Sequence, residues 1–512
     1  MKKAHYYALL LLVLLASCND KNSKAQSKID WNLYKPVWQL PIMEAELAFH
    51  HQYIAAKDQY TIRFREGTSQ AQIIALEGRL SAIFGTSFKV KSCKCDSLLR
   101  NYEGLDITEI LKHDELAVRP NGNRSGDGTP IPLTNAQFMS PTYITQTDRE
   151  SNVVNSFTPE DEFGVTSTNY KTPFHNFVDG YRTTSGTAFK IGVLDTGFDF
   201  DSRLSIGQAI FDQDIPIPGS RIRPCRKNNF YGEFRPQDDD PTRHGTLVTA
   251  LLLNQLKGVP VKIYPVKVLD NNGKGNLFNF VCALASQDQM TAYNLSLGFY
   301  ADTASFPKKL VSAYMKQTNS WFFVAAGNKV AALDSASADA NRDLSVRKYK
   351  FYPACLTDVP KMVVVTTARR TLSIAQYSVC GNQNYSDQFV HVGVVPDFPY
   401  PFLHVGVDVG IVPYNSCLLG FRDAGGTGTS FATPIALGKA LATWKVRSGV
   451  SFPRQPTSRD ELFGSDRYNF TRTEPMIAPR QIKDNRLVEE SLSFIVPRTS
   501  SPKKPLGKPK SQ

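Results

Sequence analysis

The feature that most constrains the fold is a series of short apolar runs that begins near Ala188, with apolar helical stretches between several of them. The runs are residues 189–194, 261–269, 292–297, 321–326 and 362–367. Runs of this kind are typical of strands buried on both faces. Their alternation with helices predicts an α/β fold with a parallel sheet built from right-handed crossovers. In such sheets functional residues collect beyond the carboxyl ends of the strands.

Four segments place a polar residue at the boundary of a strand or helix. They are KIGVLDTG around Asp195, RHGTLVTALLL around His244, FFVAAGN around Asn328 and GGTGTSFATPIA around Ser430. Asp195 and Asn328 follow apolar strands, whereas His244 and Ser430 open helices. Side chains placed at such boundaries can converge on one cleft although they lie far apart in the sequence.

These residue types are the ones that nucleophilic hydrolysis requires. A serine hydroxyl is a weak nucleophile, so an imidazole must take its proton, and a carboxylate must hold that imidazole in the right tautomer. A helix start adds backbone N–H donors near a developing oxyanion, and the amide of Asn328 could supply another. The segments therefore favour hydrolysis by an activated serine.

In the order VLDTG, HGT, AAGN and GTSFATP, the segments resemble the subtilisin-like serine proteases, or subtilases, over roughly residues 186–446. The order Asp, His, Ser differs from that of trypsin-like proteases and α/β-hydrolases. The resemblance implies a subtilisin-like parallel sheet with helices on both faces. It also implies a catalytic triad of Asp195, His244 and Ser430, with Asn328 in the oxyanion hole.

Ser296, Leu297 and Gly298 look like the substrate-binding strand of this family, against which a peptide adds as an extra strand. Two features depart from the family pattern. Leu247 stands where many members carry a second histidine, and residues 380–425 lack the usual Ala-Pro-Gly signature. Substrate preference is therefore not carried over from the resemblance.

The first eighteen residues have the pattern of an export signal. Two lysines precede an apolar run, residues 8–15, which is too short to span a bilayer. The run ends in Leu-Ala-Ser-Cys, which resembles the lipobox of bacterial lipoproteins. That resemblance implies an exported protein of the bacterial cell envelope, with a lipid on Cys18 that tethers it to a membrane. The alternative is a soluble secreted protein.

The expected organisation has seven parts. They are a signal peptide (1–17), a tether (18–39), a small α+β domain (40–116), a linker (117–186), the catalytic domain (187–450), a C-terminal extension (451–496) and a disordered basic tail (497–512). In the small domain we expect strands at 60–64 and 88–93, a helix capped by Thr68 with Ile73, Leu76 and Leu80 on one face, and helical turns at 97–102 and 107–111.

The small domain resembles a subtilase propeptide in place and size. If it is one, it inhibits the enzyme until a cut within residues 117–186, and a lipid on Cys18 would then stay with the propeptide and release the enzyme. The alternatives are a propeptide that remains bound and a permanent accessory domain.

Composition and charge exclude several classes of function. With 41% hydrophobic and 21% charged residues, the chain is neither collagen-like, coiled-coil nor disordered throughout. Seven units of its +12 net charge lie in Lys2, Lys3 and the tail, which leaves +5 for the rest. The expected partners are therefore a protein or peptide substrate and, through the lipid, a membrane. Nucleic acid is not expected, and the protein is expected to be a monomer.

Cysteines and acidic residues leave smaller questions open. Seven cysteines follow Cys18, so at least one thiol must stay free in an oxidising compartment, and their pairing is not readable from the sequence. Catalysis is expected to need no metal or cofactor. The run Asp238, Asp239 and Asp240 would be either a calcium-binding loop or a solvated acidic turn, and the turn is favoured.

Two other functions compete with an active serine endopeptidase. Asp195-Thr196-Gly197 is also the triplet of aspartic proteases, but those are β-rich, and this chain has one copy, so a homodimer would be required. The second is a catalytically silent subtilase-fold module that binds or scaffolds in the cell envelope. The presence of all four polar residue types favours an active enzyme.

Overall fold

A computed structural model describes about half of the residues of the chain. The described residues are 55–85, 88–105, 136–147, 153–154, 188–200, 225, 227–232, 235–256, 259–287, 290–301, 306–329, 342–347, 349–370, 377–381, 383–396, 399–400, 414–415, 417, 419–421, 424–426, 428–448, 456–464, 471–473, 482–483 and 486–489. The signal peptide, Cys18, the tether, the helical turn expected at 107–111 and the basic tail lie outside them.

The described elements are 21 strands and six helices. The strands are β1 (Ala55–Phe64), β2 (Lys89–Ser92), β3 (Leu99–Glu103), β4 (Ala136–Thr147), β5 (Val153–Val154), β6 (Phe189–Asp195), β7 (Val261–Lys267), β8 (Lys274–Asn276), β9 (Ala292–Leu295), β10 (Leu297–Ala301), β11 (Trp321–Ala325), β12 (Lys350–Tyr352), β13 (Met362–Arg370), β14 (Tyr377–Val379), β15 (Val392–Val395), β16 (Pro399–Tyr400), β17 (Tyr414–Asn415), β18 (Leu419–Phe421), β19 (Ala424–Gly426), β20 (Thr471–Thr473) and β21 (Arg486–Glu489). The helices are α1 (Gln70–Phe84), α2 (His244–Gln255), α3 (Leu277–Ser286), α4 (Phe306–Gln317), α5 (Thr429–Ser448) and α6 (Arg459–Phe463).

The predicted parallel sheet is confirmed. Seven strands run parallel in the order β21-β15-β13-β11-β9-β6-β7, with β20 antiparallel at one edge and β14 paired to β13. The five runs predicted from the sequence supply β6, β7, β9, β11 and β13. Two further strands, β15 and β21, were not predicted, and β21 lies in the C-terminal extension. The parallel pairing brings the carboxyl ends of all seven strands to one edge.

Helices cover both faces of this sheet, as expected. Val248 of α2 and Ile435 of α5 belong to the apolar cluster on one face, and Phe280 of α3 and Leu310 of α4 belong to the cluster on the other. Within β11, neighbouring Phe323 and Val324 fall into different clusters because successive strand residues point to opposite faces. Two-sided burial explains why the strands read as continuous apolar runs. Among the described helices, none has the length and apolar character needed to cross a lipid bilayer.

Residues 55–105, here called the N-terminal unit, form a small antiparallel sheet packed on α1. The strand β4, from outside this range, pairs with β1, so the strand order is β4-β1-β3-β2, and Ile73, Leu76 and Leu80 of α1 are buried, as predicted. Two expectations here were wrong. The helix is capped by Ser69, which forms a capping box with Gln72, and not by Thr68. Residues 97–102 do not form a helical turn, because β3 runs through them as the middle strand between β1 and β2.

Three disulfides join cysteines that are distant in the sequence. Cys380 pairs with Cys417, whereas Cys93 pairs with Cys282 and Cys95 with Cys225. Among the described cysteines Cys355 is free, and it is buried. The bonds Cys93–Cys282 and Cys95–Cys225 connect the N-terminal unit covalently to the larger domain.

Candidate active site

The carboxyl end of β6 and the amino end of α2 meet at a buried hydrogen bond. Asp195 Oδ1 accepts from His244 Nδ1 at 2.7 Å and from the Thr196 backbone N–H at 2.8 Å. A carboxylate can only accept, so Nδ1 carries the proton and Nε2 is left with its lone pair free. Nε2 is buried and has no hydrogen-bond partner among the described residues. The imidazole is therefore oriented to accept a proton at Nε2.

Two further carboxylates hold the start of α2. Asp240 Oδ2 accepts from the His244 backbone N–H at 3.2 Å, and Asp238 Oδ2 accepts from both the backbone N–H and the hydroxyl of Thr246, at 2.9 and 2.7 Å. Both are buried, whereas Asp239 between them is exposed, so the expectation of a solvated acidic turn was wrong for Asp238 and Asp240. Acidic residues ahead of an apolar helical run are a common sign of a helix start, and this signal could have assigned them.

The middle residue of the run, Asp239, bonds to a buried lysine that the sequence reasoning missed. Lys267 Nζ donates to Asp239 Oδ1 and to the Thr196 carbonyl, each at 2.6 Å. Lys267 ends β7 and is the register partner of Asp195 in β6. No group of three or more His, Cys, Asp or Glu side chains in the described parts of the chain is arranged to hold a metal ion.

The surrounding charges set the proton affinity of this site. Burial would lower the pKa of His244, but the facing Asp195 carboxylate, supported by Asp240 and Asp238, outweighs burial and raises that pKa above its ordinary 6.5. Burial raises the pKa of Asp238 to about 6, helped by the charges of Asp195 and Asp240 and opposed by the hydrogen bonds from Thr246.

Ser430 lies in the first turn of α5 and is fully buried. Its Oγ donates to the Ser296 carbonyl at 3.1 Å, and Ser296 Oγ donates to the Ser430 carbonyl at 2.6 Å. The Ser430 carbonyl accepts this bond because Pro434, four residues later, has no N–H to donate to it. Pro434 is the sixth residue of α5 and lies inside the helix, past its first turn.

The start of α5 borders the imidazole, although the hydroxyl of Ser430 does not bond it. The ring of Phe431 lies 5.5 Å from that of His244, measured between centroids. The hydroxyl is turned toward Ser296, whereas Nε2 of His244 stays unpartnered among the described residues. Hydrogen bonds of this kind are often long or absent without substrate and form in the substrate complex.

Asn328 follows β11 and is fixed by its amide oxygen. The Thr429 backbone N–H lies 2.9 Å from Oδ1, and because that N–H can only donate, the amide oxygen must face it. Nδ2 is therefore the free end, buried and without a partner among the described residues. Thr429 Oγ1 accepts from the Gly327 N–H at 3.0 Å, which ties the same two segments a second time. The side-chain amide of Asn328 is thus held against Thr429, the residue before Ser430, and its Nδ2 has no partner among the described residues.

The predicted substrate-binding strand is already paired with another part of this chain. Leu297 and Gly298 of β10 pair antiparallel with Thr147 and Gln146 of β4, while β8 pairs with the other edge of β4. The strand β4 lies within the segment expected to be a linker, where no strand was expected. Ser296, which precedes Leu297, contacts Ser430. A strand of the chain therefore lies where the resemblance expects a substrate peptide.

A model of the subtilase family matches residues 186–451, just over half of the chain. The chain belongs to the subtilase family. Among curated protein sequences, none is significantly similar to this subtilase.

Solved structures similar to this subtilase include three with low sequence identity. A cold adapted subtilisin-like serine proteinase is 17% identical, with 68% of this chain and 97% of that chain covered and a TM-score of 0.36. The structure named Sphericase is 17% identical, with 54% and 85% covered and a TM-score of 0.30. The A-subunit of the AB5 toxin from E. coli is 18% identical, with 62% and 92% covered and a TM-score of 0.37.

The raised pKa of Asp238 predicts a pH dependence of stability. The folded protein holds this proton up to about pH 6, whereas the unfolded chain releases it near 3.8. The contribution of Asp238 to the free energy of unfolding is therefore present below pH 3.8 and is lost as the pH rises through about 6. The asparagine of Asp238→Asn does not titrate. As the pH rises through that window, the free energy of unfolding of the variant should therefore increase by on the order of 2–3 kcal/mol relative to that of the protein with Asp238.

The measurement is urea denaturation at several pH values, with both proteins carrying Ser430→Ala to prevent self-digestion. Other titrating groups are common to both proteins, so the difference between the two curves isolates Asp238. A difference in unfolding free energy that stays constant with pH would contradict the raised pKa.

Proposed function

We propose that this subtilase is a serine endopeptidase that hydrolyses peptide bonds through Asp195, His244 and Ser430, with Asn328 as a donor to the oxyanion. The observation that carries the proposal is a pair of buried atoms, without partners among the described residues, on side chains that contact Thr429 and Phe431, the two neighbours of Ser430. One is an acceptor, His244 Nε2, and the other is a donor, Asn328 Nδ2. Buried polar atoms are rarely left unpaired, and a catalytic role is one of the physical reasons for such an atom.

The reaction begins with a rotation of the Ser430 hydroxyl from the Ser296 carbonyl toward His244 Nε2. Oγ then attacks the carbonyl carbon of the substrate while Nε2 takes the hydroxyl proton, and Asp195 stabilises the imidazolium that results. Asn328 Nδ2 and the backbone N–H groups at the start of α5 donate to the negative oxygen of the tetrahedral intermediate.

The intermediate collapses when the C–N bond breaks, and His244 gives its proton to the leaving amine. A water molecule then attacks the acyl group on Ser430, with Nε2 again taking a proton, and hydrolysis releases the carboxylic acid and the free serine. These reaction steps need no metal ion or cofactor. An extended polypeptide is the proposed substrate class, because β8 and β10 together accept β4 as an antiparallel strand between them.

The alternative is a silent subtilase-fold module of the cell envelope. The preformed Asp195–His244 bond and the free Nδ2 of Asn328 favour the enzyme, since a binding module has no need for either. The proposed enzyme acts as a monomer on protein or peptide substrates, with no nucleic-acid partner.

We also propose that the protein is exported to the cell envelope and anchored by a lipid on Cys18. The signal-like first segment motivates the proposal, and the three disulfides support it, because disulfides persist in oxidising compartments outside the cytosol.

A fluorophosphonate probe tests the serine peptidase directly. Processed protein should be labelled, and Ser430→Ala should abolish labelling because the nucleophile is gone. Asn328→Ala should keep labelling but slow it by about a hundred- to a thousandfold, since one oxyanion donor is lost. Asn271→Ala, at an exposed asparagine that contacts none of Asp195, His244, Asn328 and Ser430 in the bonds described above, is the matched control and should leave the rate unchanged. Absence of labelling in folded, processed wild-type protein would favour the silent module.

The lipid anchor is tested by Cys18→Ser in the native host. The substitution removes the thiol that carries the lipid, so the protein should move from the membrane fraction to the soluble fraction, and a lipid-sized mass should disappear from its N-terminus. Membrane fractionation that is unchanged in the variant would argue for a protein without this anchor.

A further inference from the structure

The N-terminal unit and the subtilase domain are joined by bonds that survive cleavage of the chain between them. Cys93 and Cys95 lie on the N-terminal side of every peptide bond from residue 96 to residue 224, while Cys282 and Cys225 lie on the other side. Any single cut in that interval therefore leaves two polypeptides connected by two disulfides. This interval includes the whole segment in which removal of a propeptide would require a cut.

Next to these disulfides, the N-terminal unit and the subtilase domain share a buried apolar core. Cys93 and Leu99 are buried in the same apolar cluster as Phe280 and Leu310 of the subtilase domain. Asp96 joins Arg63 of the unit, at 3.0 Å, to Tyr314 of α4, at 2.5 Å. Departure of the unit would expose these apolar side chains and leave the buried Tyr314 hydroxyl without this partner.

The strand in the cleft belongs to the same retained sheet. Residues Ala136 to Tyr143 of β4 pair with β1 of the N-terminal unit, and Ile144 to Thr147 continue between β8 and β10. A cut after Thr147 alone leaves β4 attached to the unit that the disulfides hold in place. Its rebinding to the cleft is then intramolecular, with an effective concentration on the order of millimolar.

We propose that this protein matures into a two-chain enzyme in which the N-terminal unit stays attached through Cys93–Cys282 and Cys95–Cys225. The cleft opens only when a second cut, between Leu105 and Ala136, separates β4 from that unit. The N-terminal unit is then a permanent part of the enzyme, and an anchor at the N-terminus would hold the catalytic domain as well. The opening of the cleft rests on the proposed function, whereas the covalent retention does not.

The retention is tested in the full chain with Ser430→Ala, so that no step depends on the protein's own activity. Recognition sequences for a site-specific protease are placed after residue 148, in the interval 119–131, or at both positions. Under non-reducing conditions the N-terminal unit should co-migrate with the subtilase domain after either cut or both, and reduction should separate them in denaturing gels. Release of the unit without reductant would overturn the retention.

The role of the two disulfides is separated from general stability by two cysteine variants. After either cut, the variant in which serine replaces Cys93, Cys95, Cys225 and Cys282 should show the N-terminal unit as a separate band on denaturing gels without reductant. The matched control, Cys380→Ser with Cys417→Ser, removes a disulfide that lies within the subtilase domain and should retain the unit. If the fourfold variant does not fold, brief reduction of the folded, cut protein serves the same purpose.

The second cut is tested by what happens to β4. In native conditions the peptide that contains residues 136–147 should stay bound after the single cut and appear in the filtrate after both cuts. With Ser430 restored, the doubly cut protein should be labelled by the fluorophosphonate at least about tenfold faster than the singly cut protein. Equal rates in the two labelled forms would overturn the requirement for a second cut. If neither form is labelled while β4 is released, the proposed function fails and the two-chain architecture stands.

Discussion

The structure depends first on a single buried hydrogen bond, from His244 Nδ1 to Asp195 Oδ1. A fully buried carboxylate is costly unless donors compensate it, and here the imidazole and the Thr196 N–H both donate to Oδ1, while Oδ2 has no partner among the described residues. The bond also requires the end of β6 and the start of α2 to meet closely. Gly245 permits this approach, because a Cβ at that position would lie 2.3 Å from the Gly197 carbonyl oxygen. The carboxylates of Asp238 and Asp240 and the ammonium of Lys267 then hold the surrounding backbone.

The parts of the fold that follow from local patterns were predictable from the sequence. The apolar runs became β6, β7, β9, β11 and β13, because strands buried on both faces need apolar side chains at successive positions. The proposed site residues were also visible, since a polar residue is conspicuous at the end of an apolar strand, as with Asp195 and Asn328, or at the start of an apolar helical run, as with His244 and Ser430. The four-residue strand β21, with the sequence RLVE, carries too short a pattern to be recognised, yet it completes the sheet beside β15.

What the sequence could not predict is which distant segments meet. The partners of Cys93 and Cys95 lie 189 and 130 residues away, and no spacing rule selects them. The strand β4, with the sequence AQFMSPTYITQT, carries no motif that marks its position, and its place between β8 and β10 is set by backbone pairing. A removable propeptide conflicts with a lipid at the N-terminus, because the cut would release the enzyme from its anchor. The proposed two-chain architecture removes this conflict, because the disulfides keep the catalytic domain attached to the lipid-bearing N-terminal chain after the cut.

The most direct measurement of the central claim is the rate at which the fluorophosphonate labels Ser430 as a function of pH, from about pH 5 to about pH 9. Only neutral His244 can take the serine proton, and Asp195 raises the pKa of that imidazole. The rate should therefore rise with pH through a single ionisation whose midpoint lies above 6.5, and Asp195→Asn should lower both the rate and the midpoint. A rate that does not change with pH, or a midpoint below 6.5 in the wild type, would contradict a mechanism in which Asp195 and His244 activate Ser430.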